Sequence, residues 1–315
     1  MKQSKEITDG ALLLSIYMII LLAAIFVPVM ILPSLFLLPI PLIMYSSTYR
    51  WQQTLILGAG AILLSLFIVP FISIPLTVLA CSGGILTGLA IQQKLSPYET
   101  LARVTAGYVA GLVFTYIYIQ YFFQINWDTV FTEAFTDSLQ MSRSLFQQFG
   151  LPEQQLNELF LIFEESLSAM LNLLPVAFVM VALVIAWISQ WLSYKVLNRT
   201  KQKKLFFPPF RKFKLPTATV WIYFFALIVT LFETDVESIF FIGANNIISL
   251  LGFLMIIQGF SFIFFFAYQQ RMSKAFPIIS IVVTMMFPFL LSPIVRIIGI
   301  IDIGFGLREH MTRKK

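Results

Sequence analysis

The sequence predicts an all-α protein, a polytopic bundle of transmembrane helices with about eight to ten spans. Of its 315 residues, 59% are hydrophobic and only 11% are charged, whereas about a quarter of the residues in a soluble domain are charged. The apolar residues form runs about as long as the roughly 20 residues that a helix needs to cross a bilayer. Short basic segments separate several of these runs, as is typical of loops on the cytoplasmic side.

One basic segment, residues 195–216, divides the chain into two unequal parts. It carries eight of the 21 Lys and Arg residues and no acid. Because such a loop stays in the cytoplasm, we expect a six-span bundle over residues 1–194 and a C-terminal membrane module over residues 217–315. Counting the spans also predicts a cytoplasmic N-terminus, and the basic tail favours a cytoplasmic C-terminus.

Apolar runs and prolines set the expected spans. We expect them over about residues 8–27, 28–45, 54–69, 70–91, 101–123, 167–192, 217–232 and from the acidic turn at 233–237 to about 268. Prolines predict a broken second span and, at Pro175, a kink within the sixth. The last apolar stretch, 276–305, is long enough for one tilted helix. Pro288 and Pro293 favour instead a hairpin of two short segments, which returns the tail to the cytoplasm.

The longest polar section, residues 124–165, is expected outside the cell. It contains seven acids and one base, Arg143, and loops poor in Lys and Arg are typically external. Its Phe and Leu residues recur at helical spacing, which predicts two amphipathic helices. They form either a packed external hairpin without a ligand or a lid over a substrate.

Several classes of activity are disfavoured by what the sequence lacks. A single cysteine, Cys81, excludes an intramolecular disulfide, and a single histidine, His310, disfavours zinc sites, haem ligation and histidine catalysis. No P-loop, GxSxG, HExxH or CxxC motif occurs. We therefore predict no catalytic residue, no metal and no cofactor. A lipid-modifying enzyme that uses Asp302, or Glu164 with Glu165, remains the enzymatic alternative.

Small and polar residues within the spans supply the candidate sites. Small residues at every fourth position predict close helix packing between the fourth and fifth spans, with oligomerisation as the alternative: Ala80, Gly84, Gly88, Gly107 and Gly111. Polar side chains within spans are costly and often functional, so five are ligand-binding candidates: Asn245, Asn246, Gln258, Arg296 and Asp302. The structural alternative for Asp302 is a helix cap or a pair with Arg308.

The basic segment interleaves cations with phenylalanines, a pattern that in principle stacks nucleic-acid bases. Beside a membrane, we expect it to bind lipid headgroups instead, and we predict no nucleic-acid partner. The candidates for headgroup binding are Lys201, Lys203, Lys204, Arg211 and Lys212.

Three stretches, ITDGALLLSIYMIILL, CSGGILTGLA and RIIGIIDIGFGLREH, resemble the YybS family of multi-pass membrane proteins of Gram-positive bacteria. That family is similar, over its first six spans, to the S components of energy-coupling-factor transporters. The resemblance implies a bundle that takes a small ligand from outside and docks on a transmembrane coupling subunit with ATPases. It also implies a docking face at Ala11 and Ser15, where serine replaces an alanine of the S-component pattern. Ordinary S components lack the C-terminal module.

The sequence thus favours a bacterial cell-membrane protein that binds or transports an unidentified small ligand without catalysis. The alternative is a membrane scaffold whose basic loop and tail bind cytoplasmic proteins or anionic lipid.

Overall fold

A computed structural model of the chain describes residues 2–149 and 152–313. These residues form α-helices, short 3-10 turns and connecting segments, with no β-strand among them. Seven helical segments are long and apolar enough to cross a membrane. The prediction of an all-α polytopic bundle is therefore confirmed. The chain divides into two compact units, Met1–Phe207 and Pro208–Lys315.

Unit 1 contains nine helices within its described residues, with a 3-10 turn at Pro28–Met30. They are α1 Lys2–Phe26, α2 Ile31–Leu37, α3 Pro39–Ser46, α4 Trp51–Ser65, α5 Pro70–Gln92, α6 Pro97–Phe123, α7 Trp127–Gln148, α8 Glu153–Leu171 and α9 Leu174–Thr200. Five stretches of this unit are candidate spans, and α4, which we expected to be a further span, has only 15 residues.

Prolines mark the helix starts more often than kinks. The second apolar stretch is interrupted at Leu38, as its prolines predicted, but Leu38 keeps helical angles and Pro39 opens α3. We expected Pro175 to kink a span that begins near residue 167, but it does not. It lies in the first turn of α9, where a missing amide donor costs nothing.

Helix α5 is the centre of unit 1 and packs against α3, α4 and α6. Tyr17 and Leu21 of α1 are fully buried with Leu42 of α3 and Ala80 of α5. The Tyr17 hydroxyl donates to Thr77 Oγ1 at 2.8 Å. A polar contact therefore ties α1 to the apolar core that α3 and α5 share.

The small residues of α5 and α6 serve two interfaces instead of one. Gly107 and Gly111 of α6 face α5, since a Cβ on Gly111 would lie 2.5 Å from Ser82 Oγ. Gly84 and Gly88 of α5 face α3 instead, and a Cβ on Gly84 would lie 3.1 Å from the carbonyl oxygen of Pro39. The expected single α5–α6 contact is thus wrong for these two glycines, because α5 is packed on opposite faces.

Unit 2 contains five helices within its described residues, with a 3-10 turn at Phe210–Lys212. They are α10 Ala218–Phe232, α11 Ile239–Gln269, α12 Ala275–Met286, α13 Pro288–Phe305 and α14 Leu307–Arg313. The 31-residue helix α11 is central and packs against α10 and α13.

The last apolar stretch forms two helices. The chain leaves helical geometry at Phe287, with φ −126° and ψ 62°, and Pro288 opens α13, whereas Pro293 lies inside α13. Only the first of the two prolines therefore divides the stretch. Gly252 and Gln258 of α11 contact Arg296 and Asp302 of α13 in the same order along both helices. Helices α11 and α13 hence run parallel, and α12 connects them in the opposite direction.

The basic segment is partly helical. Helix α9 continues to Thr200, so Lys195 and Arg199 belong to it and not to the loop that we expected from residue 195. Asn198 exchanges two hydrogen bonds with the backbone of Leu205, at 2.7 and 2.8 Å. These bonds fold the following extended chain back against the end of α9.

Candidate functional site

Aromatic side chains pack the start of α7 against the C-terminal part of α6 and the N-terminal part of α9. The ring of Tyr116 lies 5.5 Å from that of Trp127 and 5.7 Å from that of Phe178, measured between centroids. Trp127 Nε1 also donates to the carbonyl oxygen of Tyr116 at 3.4 Å. The contacts hold α7 at the end of unit 1 where α6 stops and α9 begins.

A cavity of about 480 Å³ lies beneath α7 at this end. Phe131, Ala134 and Phe135 of α7 face Leu174 and Ala177 of α9 across it. The side chains that line it are apolar, so the amphipathic stripe that the sequence predicted on this helix turns partly toward a cavity. Glu133 and Asp137 of the same helix are exposed and do not line it.

A second cavity, of about 430 Å³, lies among α2, α5, α6 and α9. Leu35, Leu76, Ile119 and Val181 line it, one from each helix. Among its described lining residues, only Thr115 has a polar side chain, and that hydroxyl donates to the carbonyl oxygen of Gly111 at 2.9 Å. The cavity therefore offers apolar contacts to a ligand.

Nothing in the sequence indicated these cavities, and the ligand candidates predicted from it lie elsewhere. Asn245, Asn246, Gln258, Arg296 and Asp302 are all in unit 2 and line neither cavity. Glu164 and Glu165, the enzymatic alternative, have side chains outside the described part of the chain. Within that part, no group of three His, Cys, Asp or Glu residues could hold a metal ion.

Asp302 forms the centre of a buried polar network in unit 2. Its side chain is fully buried, accepts from Gln258 Nε2 at 2.5 Å and pairs with Arg308 at 2.8 Å. The pairing partner is thus Arg308, the alternative considered from the sequence. It is not Arg296, one turn and a half away.

The same network fastens the chain that precedes α10. Arg308 donates to the carbonyl oxygens of Arg211 and Phe213 at 2.8 and 3.0 Å, and Ser261 Oγ donates to that of Phe213 at 2.9 Å. Gln258 Oε1 accepts from the amide of Leu215 at 3.0 Å. Gln258 and Asp302 therefore have a structural use in unit 2.

The other three polar candidates lie on the same two helices, and the contacts described for them are different. Within the described part of the chain, Arg296 Nη1 donates to the hydroxyl oxygen of Tyr223, at a long 3.4 Å. Asn246 Nδ2 donates to the carbonyl oxygen of Ile242 in its own helix at 2.9 Å, and Asn245 is half-buried.

The candidates for headgroup binding differ in whether the protein itself already binds their charged groups. Lys203 Nζ donates to the carbonyl oxygen of Ser47 at 3.0 Å, and burial, followed by the charge of Lys201, lowers the pKa of Lys203. Lys201 Nζ donates to Thr48 Oγ1 at 3.1 Å, so both lysines bind the residues that directly follow α3. Arg211 stacks on Tyr268 at 3.8 Å. Lys204 and Lys212 are exposed.

The predicted docking pair lies on the surface of α1. Ala11 and Ser15 are exposed, and Ser15 Oγ donates to the carbonyl oxygen of Ala11 at 2.9 Å. Their role toward a partner stays a prediction.

A second polar group, which the sequence analysis did not single out, lies buried between α6 and α9. Thr100, Tyr108, Ser189 and Ser193 are fully buried. Tyr108 interacts with Ser189, and Thr100 with Tyr194, but among the described residues none of the four side-chain oxygens has a partner with good hydrogen-bond geometry. Elsewhere in the described helices, Ser and Thr side chains commonly donate to a carbonyl three or four residues earlier, as Thr105 does. The signal available in the sequence was the pair Ser189 and Ser193, one helical turn apart.

Comparison with known proteins places the chain in a family. The family model described as "Predicted membrane protein (DUF2232)" matches residues 15–303. The chain is 29% identical over 314 residues to the uncharacterized protein YybS of Bacillus subtilis, covering 99% of this chain and all of that protein. No solved structure matches. YybS is thus a relative of this chain over its full length, and the chain belongs to the DUF2232 family of predicted membrane proteins.

Proposed function

We propose that this membrane protein is a non-catalytic component that binds a small apolar ligand at the α7–α8 end of unit 1. The observation that carries the proposal is the pair of apolar cavities there, of about 480 and 430 Å³. Ligand pockets are typically concave, mostly apolar and about 300–1,000 Å³ in volume. Each Å² of apolar ligand surface that enters contributes about 25 cal/mol, so apolar contact alone can drive binding.

The charges beside the cavities restrict the chemical class of the ligand. On α7, the acids Glu133 and Asp137 are exposed beside the lining residues Ala134 and Phe135, and the only polar lining group described is the hydroxyl of Thr115. An anion would meet repulsion on the way in and no donor inside. The ligand is therefore neutral and apolar, or carries a cationic end that remains outside.

In this proposal the protein sits in the cell membrane with the α7–α8 end outside and both termini in the cytoplasm. Transport would require a separate ATPase, since the chain lacks a P-loop. As the sequence resemblance to S components implies, we propose that the exposed pair Ala11 and Ser15 of α1 docks on a coupling subunit.

The test is native mass spectrometry of the protein purified from its own membranes in mild detergent, together with its co-purifying partners. Ala177→Phe fills the cavity beneath α7, and Thr136→Phe places the same ring on the exposed face of α7 as a matched control. We expect a bound apolar molecule in the wild type and in Thr136→Phe, and its loss in Ala177→Phe. A wild-type protein without any bound small molecule, or equal occupancy in all three proteins, contradicts the proposal.

A scaffold bound to anionic lipid or cytoplasmic proteins is the second candidate, favoured by the exposure of Lys204 and Lys212. Replacing Lys204 and Lys212 by Gln is a cleaner test than replacing Lys201 and Lys203, which hydrogen-bond to the residues that follow α3. Loss of cellular function with normal insertion supports the scaffold. Unchanged function supports the ligand-binding component.

A further inference from the structure

Arg296 places a cation in the middle of a candidate span. Helix α13 has 18 residues, and at about 1.5 Å per residue Arg296 lies about 12 Å from its start. A charged side chain at such a depth costs at least about 2.5 kcal/mol unless something stabilises it. The side chain is half-buried, so unit 2 shields it only in part.

The described residues of unit 2 provide no counter-charge for Arg296. The unit has five acids. Asp302 and Glu309 pair with Arg308 and Lys214, and the other three lie in the connection between α10 and α11: Glu233, Asp235 and Glu237. Among the described residues, no carboxylate forms an ion pair with Arg296.

Residues of α10 and α11 nevertheless hold the guanidinium group of Arg296, which belongs to α13. Gly252 of α11 leaves the space that it occupies, since a Cβ there would lie 3.1 Å from Arg296 Cζ. Arg296 Nη1 reaches the Tyr223 hydroxyl of α10 at a long 3.4 Å. Its Nε is buried and has no hydrogen-bond partner among the described residues. The guanidinium group of Arg296 is therefore held in place, but its Nε has no acceptor and its positive charge has no counter-charge among the described residues.

We propose that Arg296, with the hydroxyl of Tyr223, binds the oxyanion group of a membrane-borne amphiphile, a phosphate or a carboxylate. The planar guanidinium fork matches both groups and can bind them with two parallel hydrogen bonds. Water would satisfy the donors but would not neutralise the charge. Because the surroundings are poor in water, the attraction between the two charges is stronger than at a protein surface.

The positions of Tyr223 and Arg296 indicate that the ligand comes from the membrane. Leu227, one turn beyond Tyr223 on α10, is 37% exposed, and Ile297, next to Arg296, is 55% exposed. Tyr223 and Arg296 thus lie beside surfaces of unit 2 that the acyl chains of lipid can reach. This site is in unit 2 and does not depend on the proposed cavities of unit 1.

The experiment measures thermal unfolding of the full-length protein in a neutral maltoside detergent. The probes are dodecyl phosphate, inorganic phosphate and, as an uncharged control, dodecanol. We expect dodecyl phosphate to raise the melting temperature by several degrees, with no comparable effect of the other two. The rise should disappear in Arg296→Gln and persist in Arg271→Gln, which removes an exposed cation of the same unit.

Two further variants keep the proposal testable if Arg296→Gln fails to fold. Gly252→Ala keeps the charge but displaces the guanidinium group, and Tyr223→Phe removes only the hydroxyl; both should reduce the rise. Equal responses of Arg296→Gln and the wild type, no response to dodecyl phosphate, or an equal response to dodecanol each overturn the site. Stabilisation by inorganic phosphate alone overturns the membrane-borne source.

Discussion

The carboxylate of Asp302 and the guanidinium group of Arg308 form a buried ion pair, with Nη2 and Oδ2 2.8 Å apart. The side chain of Asp302 is fully buried and that of Arg308 is 11% exposed. Gly306, with φ +58°, ends α13 in the left-handed conformation and lets α14 begin at once. This tight turn brings Arg308 back to a carboxylate six residues earlier and joins both to the chain before α10.

Breaking this pair should destabilise unit 2 strongly. Arg308→Gln leaves a buried carboxylate without its cation, and removal of one partner of a buried pair typically costs about 3–5 kcal/mol. Asp302→Asn should have a similar effect. Glu309→Gln is the matched control, because the Lys214–Glu309 pair is 40% and 70% exposed and such pairs contribute about 1 kcal/mol or less. Equal melting temperatures of Arg308→Gln and Glu309→Gln in detergent would contradict the structural role of the pair.

Gly88 should not tolerate a methyl group. A Cβ there would overlap Ser46 Oγ and lie 2.7 Å from the amide nitrogen of Ser47, so Gly88→Ala must separate α5 from α3. We expect a loss of about 1–3 kcal/mol, typical of overpacking, measured as a lower melting temperature. Gly243→Ala in α11 is the control, since beyond its own helix backbone no described atom lies within 4 Å of the position of its Cβ, and it should leave stability unchanged or slightly higher. A neutral Gly88→Ala would exclude the close α3–α5 contact.

Removing a buried hydroxyl should have opposite effects in two places. Ser193→Ala deletes an oxygen that has no hydrogen-bond partner among the described residues, so it should be neutral or stabilising, because no buried group loses a partner. Thr77→Val removes the acceptor of the buried Tyr17 hydroxyl and should cost about 1–3 kcal/mol. Thermal unfolding of both variants provides the comparison. A large loss in Ser193→Ala would show instead that ordered water links this group.

The sequence predicted the helices well because apolar runs and prolines act locally. Pro288 divides the last apolar stretch as expected, whereas Pro175 opens α9 instead of kinking it, and both effects follow from the missing amide donor. The two cavities were beyond sequence reasoning, since Leu35 and Val181 look like any other core residues until four helices pack around a gap. Gln258 and Asp302 were identified as polar residues in spans, but their use depends on a contact between α11 and α13.

Cysteine labelling tests the orientation of unit 1 and the functional proposal that depends on it. The native Cys81 is buried, so background labelling in intact cells should be low. Ser138 on α7 and Thr200 at the end of α9 are both exposed in unit 1, but the spans place them at opposite ends. A membrane-impermeant maleimide should therefore label Ser138→Cys and Ser238→Cys and should not label Thr200→Cys or Thr312→Cys until the cells are opened. Labelling of Thr200→Cys in intact cells would show that the bundle has the opposite orientation, with the two cavities toward the cytoplasm. Capture of a ligand from outside would then be excluded.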